Sequence, residues 1–272
     1  LASKTAQKVL LWGGAGLLGL TALLGGLALF QQFNGASLRI PPTSLSGSAP
    51  QSTDLQHIST GVVAALAIEQ LNQGDVAAAK VPIETLLDRG ALQQAAAILT
   101  SVLSKQANDP TINFLMGRLA WQFVKSGNSN YSLDDARRYW ELAVRQQPTP
   151  LHNTALGFAY YAEGRLMRAK QSWLTTLRQT EPQTTPDAVA GLDHSKRSPA
   201  VLTAYAGLAM MSMKLAEDQP PTRKAELLSE AIRLRQVVLT EEPVQFLPDS
   251  LAQNWLWTEA AIADWQAVLA LQ

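Results

Sequence analysis

His57, His152 and His194 are the three histidines of this 272-residue chain, and none stands in an H-x-x-x-H or H-E-x-x-H spacing. Those spacings put two imidazoles on one helical face toward zinc, so a metal site here would have to be assembled from distant carboxylates. Asp193, His194 and Ser195 have the residue types of a hydrolase triad. Triad chemistry needs the three groups to converge from a supported scaffold, which neighbours in a polar linker do not do. The paired carboxylates Asp134-Asp135 and Glu241-Glu242 fall at expected helix ends, and no G-x-x-x-x-G-K phosphate loop is present. With no cysteine in the chain, a disulfide scaffold and thiolate ligands are excluded. The expectation is a chain with no catalytic site, metal or cofactor of its own.

Cations and aromatic rings remain as groups for recognition. Arg137, beside Arg138 in "DDARR", and Arg165 and Lys170, with Arg168 in "RLMRAK", are suited to reading a peptide or a carboxylate, or else are solvated helix faces. The basic "HSKRS" at 194–198 reads as a linker, with a contact to an acidic partner as the second reading. Lys plus Arg and Asp plus Glu number 22 each, so nothing in the net charge calls for nucleic acid.

What positions these groups is a sequence of unequal parts. At 47% hydrophobic and 16% charged, the chain has the composition of a globular protein with a core of roughly 150–200 residues. Val9 to Phe30 is different: 22 residues without a charge, roughly 33 Å as a helix, enough to cross a bilayer. This predicts a transmembrane helix over 9–30 behind a short flank, 1–8. Ala15, Gly19, Ala22 and Gly26 share one face of it and suit close packing against a partner helix in the membrane. Lys4 and Lys8 precede the stretch and Arg39 follows it. That bias puts the N-terminus in the cytoplasm and the rest across the membrane, in a periplasm or thylakoid lumen. Residues 31–54, rich in Ser, Pro and Gly, read as a flexible linker, 55–250 as a helical body, and 251–272 as a C-terminal capping helix.

Within the body the helical pattern repeats. Ala136, Trp140 and Ala143 correspond to Ala169, Trp173 and Thr176 at an offset of 33, and Gly117 to Gly157 at an offset of 40. The seven-residue difference falls in the polar loop "KSGNSNYSL". Gly207 with Ala225, Ser229 and Ile232 forms a weaker third unit, and Gly90, Ala95, Leu99 and Val102 an earlier one. Asp109-Pro110, Gln147-Pro148, Glu181-Pro182 and Glu242-Pro243 punctuate the helical runs. Small residues at a helix crossing let backbones approach, and Trp140 and Trp173 are expected to fill the space opposite them.

On these residues the chain resembles the tetratricopeptide repeat family over roughly residues 75 to 243, with Gly157, Tyr160, Gly164, Ala169, Trp173 and Pro182 carrying the clearest unit. The resemblance implies an all-α array of antiparallel helix pairs whose inner face binds a protein or peptide. Gly117, Ala136, Trp140, Gly157, Ala169 and Trp173 are then packing residues of the array.

The C-terminal "DSLAQNWLWTEAAIADWQAVLALQ" carries an apolar stripe through Leu251, Trp255, Ile262 and Leu269, expected to cap the last repeat. Trp257 falls off the stripe and is expected partly exposed, as a docking residue. The segment, with the overall layout, is also similar to helical-repeat tails of membrane-tethered cyanobacterial proteins. Two function classes follow: a single-pass membrane-anchored scaffold or assembly factor, or the extramembrane regulatory tail of a larger signalling protein such as a protein kinase. Because the chain begins with Leu1, an upstream catalytic domain belongs to the second expectation.

Overall fold

Capping side chains set where the helices start. In the computed structural model of the chain, Asp75, Asp109, Ser132, Thr149 and Thr258 each accept a hydrogen bond from the backbone N–H three residues on. Each satisfies a donor that the first helical turn leaves without a partner. Pro110, Pro150, Pro199, Pro221 and Pro248 open their helices, where the missing N–H costs nothing. The structure describes Leu55 and residues 57–180 and 197–272, all within one compact unit of residues 49–272.

Among the described residues every regular element is a helix: α1 Thr60–Asn72, α2 Val76–Asp88, α3 Leu92–Leu103, α4 Pro110–Lys125, α5 Leu133–Gln146, α6 Pro150–Ala162, α7 Leu166–Thr180, α8 Pro199–Ala216, α9 Pro221–Glu241, α10 Pro248–Ala252 and α11 Glu259–Leu269. α4 pairs with α5, α6 with α7 and α8 with α9, and each pair stacks on the next through α5 against α6 and α7 against α8. α1, α2 and α3 precede them, with α2 and α3 packed on α4. This neighbour-on-neighbour packing is consistent with a helical-repeat module.

Two of the three pairs are held by a glycine against an indole, and the third pair meets the second in the same way. A Cβ on Gly117 would lie 2.3 Å from Trp140, one on Gly157 2.3 Å from Trp173, and one on Gly207 2.5 Å from Trp173 again. Trp173 is therefore clamped between its own hairpin partner α6 and the next helix, α8. Each indole N–H donates to the carbonyl three residues before the glycine, Trp140 to Phe114 and Trp173 to Thr154, both at 3.2 Å. Gly164 follows α6 with φ 73°, which only glycine adopts without strain.

Two expectations are corrected. The fold class put a transmembrane helix at the N-terminus, ahead of the array. Among the described residues the one helix long and apolar enough to cross a membrane is α8, in the C-terminal half, while residues 9–30, with Ala15, Gly19, Ala22 and Gly26, lie outside the described residues. α8 spends its apolarity on the core: 72% of its span is buried, against α6, α7, α9 and α11. The single capping helix over 251–272 is also corrected. The segment forms α10 and α11 with a break between them, and it does not stop at the last helix pair.

The third unit keeps its glycine but not the expected register on its second helix. Ala225 and Ser229 are exposed, and Ala231, Leu234 and Val238 are buried instead. The cause is length. α8 and α9 run to 18 and 21 residues, so the first turns of α9 extend past the body of the array before packing begins. Ala231→Leu is therefore expected to cost about 1–3 kcal/mol by overpacking, and Ala225→Leu to stay within about 0.5 kcal/mol. Urea unfolding of the two variants distinguishes the registers, and equal losses would contradict the one described.

Candidate partner-binding face

α4, α6 and α8 turn their glycines toward the second helices of the array, and the residues one and four positions later flank that contact, with Trp121 5.4 Å from Trp140 and Phe158 and Tyr161 5.5 and 5.8 Å from Trp173. On α4 these are Arg118 and Trp121, on α6 Phe158 and Tyr161. They form an inner face, and the chain's own C-terminal segment lies on it.

The segment is gripped by its backbone as well as its side chains. Trp121 Nε1 donates to Leu256 O at 3.0 Å, and Lys125 Nζ donates to Asn254 O and Trp255 O, both at 3.0 Å. The Arg118 guanidinium sits 4.5 Å from the Trp255 ring centre, a cation–π contact, and Phe114 meets the same ring edge-on at 6.2 Å. Trp257 packs edge-to-face on Phe158 at 5.1 Å. Further along, Asp264 accepts from the Tyr161 hydroxyl at 2.8 Å and from Lys214 Nζ on α8 at 3.2 Å. Burial first, then the hydrogen bond and charge of Asp264, push the Tyr161 phenol well above its ordinary range, so it stays a donor. Arg235 on α9 closes the end of α11 by donating to the carbonyls of Val268, Leu269 and Leu271 at 3.0, 3.1 and 2.7 Å.

Between the segment and the array a cleft of about 550 Å³ stays open, lined among others by Lys125, Tyr161, Ala162, Lys214, Glu259 and Asp264. Two cations and two carboxylates line it, between walls that mix aromatic and aliphatic side chains.

The structure places the sequence-derived recognition residues elsewhere. Arg137 is buried inside the array and bonded to three carboxylates: Asp134, Glu141 at 2.5 Å and Glu163 at 3.0 Å. Burial pulls its pKa down, and the hydrogen bonds it donates to Glu141, Asp134 and Glu163 outweigh burial and raise it. Arg165 is half exposed and pairs with Glu163 at 3.1 Å. Lys170 is half-buried on α7, close enough to Glu230 on α9 to help hold that carboxyl low, after the larger effect of Arg233. Trp257, expected partly exposed, is 1% exposed, because the break between α10 and α11 turns its ring under the segment against Phe158, Phe246 and Trp265. Asp193, His194 and Ser195 lie outside the described residues.

His57 is exposed, while His152 is buried, stacked on Phe114 at 4.6 Å, with Nδ1 donating to Gln147 O at 2.8 Å. Burial lowers its pKa, Gln147 opposes and Lys80 adds to the lowering. A depressed folded-state pKa means that the unfolded chain takes the proton first, so His152 favours folding above about pH 6.5 and that contribution is lost as pH falls through its folded pKa. The urea midpoint of the native chain is expected to drop more between pH 7.5 and 5.5 than that of His152→Gln. Parallel profiles would contradict the assignment.

Sequence reasoning missed Trp121, Lys125, Tyr161, Lys214 and Asp264. A signal existed for two of them: Trp121 and Tyr161 stand four residues after matched glycines, at the same offset of 40. Among the described residues no group of three or more His, Asp or Glu side chains is placed to hold a metal ion. Compared with known protein families, the chain matches no family model, and compared with curated proteins it has no match.

Proposed function

We propose that this chain is a membrane-associated scaffold that holds a protein partner along the inner face of its helix pairs, and that it carries no catalysis of its own. One observation supports the protein-binding part most strongly. The inner face grips a polypeptide through main-chain carbonyls, using side chains from α4, and through aromatic and charged side chains from α4, α6 and α8. Such contacts recognise an extended or helical segment whatever its source. The membrane part is membrane association alone, and is supported by the uncharged composition of residues 9–30. It takes no support from α8, whose apolar surface is used inside the fold. A helical-repeat identity of the tetratricopeptide type belongs to the same reading and rests on the Gly–Trp packing.

The test is affinity isolation of the full chain from gently solubilised membranes, with mass spectrometry of what accompanies it. The expected result is a stoichiometric partner whose recovery falls several-fold in Ala162→Trp, which fills the open cleft and leaves the hydrogen bonds of the C-terminal segment in place, and is unchanged in Met167→Ser, at an exposed position of α7. Recovery of the chain alone, or equal recovery in both variants, would contradict the proposal.

A further inference from the structure

We propose that the C-terminal segment 246–272 is an exchangeable intramolecular ligand of the inner face, and that the partner is a segment of the same chemistry: a pair of tryptophans with one residue between them, followed by a short helix carrying a carboxylate. The inference rests on the reading of the inner face as a polypeptide-binding surface and names what that surface takes.

Three observations carry it. The segment is joined to the array by a short strap in which Pro243, Val244 and Gln245 are exposed, Val244 at 66%, so the connection itself buries little and leaves a free tether. The contacts that hold the segment are those of a bound peptide: carbonyls of three consecutive residues, 254 to 256, are read by Lys125 and Trp121, and one carboxylate, Asp264, is read by Tyr161 and Lys214. The fit is also incomplete. Trp257 Nε1 on the segment and Arg118 Nε on the face beneath it are buried and have no hydrogen-bond partner among the described residues. Native cores leave few such groups, so these mark a contact that another sequence can satisfy better.

The large rings buried by the segment set the terms of exchange. Trp257 and Trp265 are 1% and 0% exposed, so bare release is strongly unfavourable and only a ligand presenting equivalent rings replaces them. Competition is then governed by the effective concentration of the tethered copy, on the order of 1 mM for a short tether. A free copy at ~0.1 mM is expected to occupy about a tenth of the faces, and weakening the tethered copy alone about tenfold raises that to about half.

The experiment uses the full chain and a fluorescent synthetic peptide of residues 246–272, brought to equilibrium and read by anisotropy. Asp264→Asn in the chain removes the carboxylate from the tethered copy only, a loss of a charged hydrogen-bond acceptor worth about tenfold. Occupancy by the unmodified peptide is expected to rise from about a tenth to about half. Lys214→Met removes the same ion pair from the array side, weakens tethered and free copies alike, and is expected to leave occupancy near the native value. Equal, near-zero occupancy in native and Asp264→Asn chains would overturn the inference and make the segment a fixed part of the core. A rise in both variants would overturn it too, as general loosening. If exchange fails while a partner still co-isolates in an inner-face-dependent manner, the scaffold reading survives and the segment is not the partner's competitor.

Discussion

Trp173→Ala is expected to lower the unfolding free energy of the array by about 3–5 kcal/mol, the range for emptying a large buried aromatic site. The ring is fully buried, and the backbones of α6 and α8 have been brought close enough to it that Gly157 and Gly207 admit no side chain of their own. Neither helix can collapse into the void without breaking its own stacking on α7 and α9. The loss also removes the hydrogen bond to Thr154 O and the edge-on contact with Phe158. Leu174, the next residue, is 36% exposed, and Leu174→Ala is expected to change stability by no more than about 0.5 kcal/mol. Guanidinium unfolding of both variants checks the contrast. A small loss at Trp173 would mean that α6 and α8 do not share its ring.

Arg137→Met is expected to cost about 3 kcal/mol, at the low end of the range for breaking a buried ion pair, because Asp134 and Glu141 keep part of their surface in water. Glu163, at 13% side-chain exposure, then keeps only the half-exposed Arg165 against its charge. The half-exposed Arg165, in the same neighbourhood and of the same charge, is expected to lose less than about 1 kcal/mol on the same change. If Arg137 were a partner-binding cation, its replacement would leave folding nearly intact and reduce partner recovery instead. Unfolding midpoints and partner recovery, measured on the same variants, separate the two roles.

These two sites show where the sequence is readable. Gly117 with Trp140 and Gly157 with Trp173 form local contacts, within one hairpin, so their matched spacing signals them directly. The pattern fails where length varies: α9 is long, its buried set begins at Ala231, and Arg235 stands where the spacing of the other units places a tryptophan. That arginine serves the end of α11, a role with no local signature. The path of the C-terminal segment is less readable still. Trp121 meets Leu256 across 135 residues and Tyr161 meets Asp264 across 103, and no periodicity within the segment encodes either meeting. Charge clusters misled for a related reason, since "DDARR" looks solvated in sequence while the carboxylates that enclose Arg137 include Glu163, 26 residues away.

Placement of the C-terminal segment on the inner face is tested most directly by chemical bridging. The chain has no cysteine, so Ala162→Cys on α6 and Ala260→Cys on α11 create a unique pair, both exposed and both lining the open cleft. A short bismaleimide is expected to bridge the two within one folded chain in high yield, and to stop doing so in denaturant. Two singly reacted cysteines in the folded protein, without a bridge, would contradict the account.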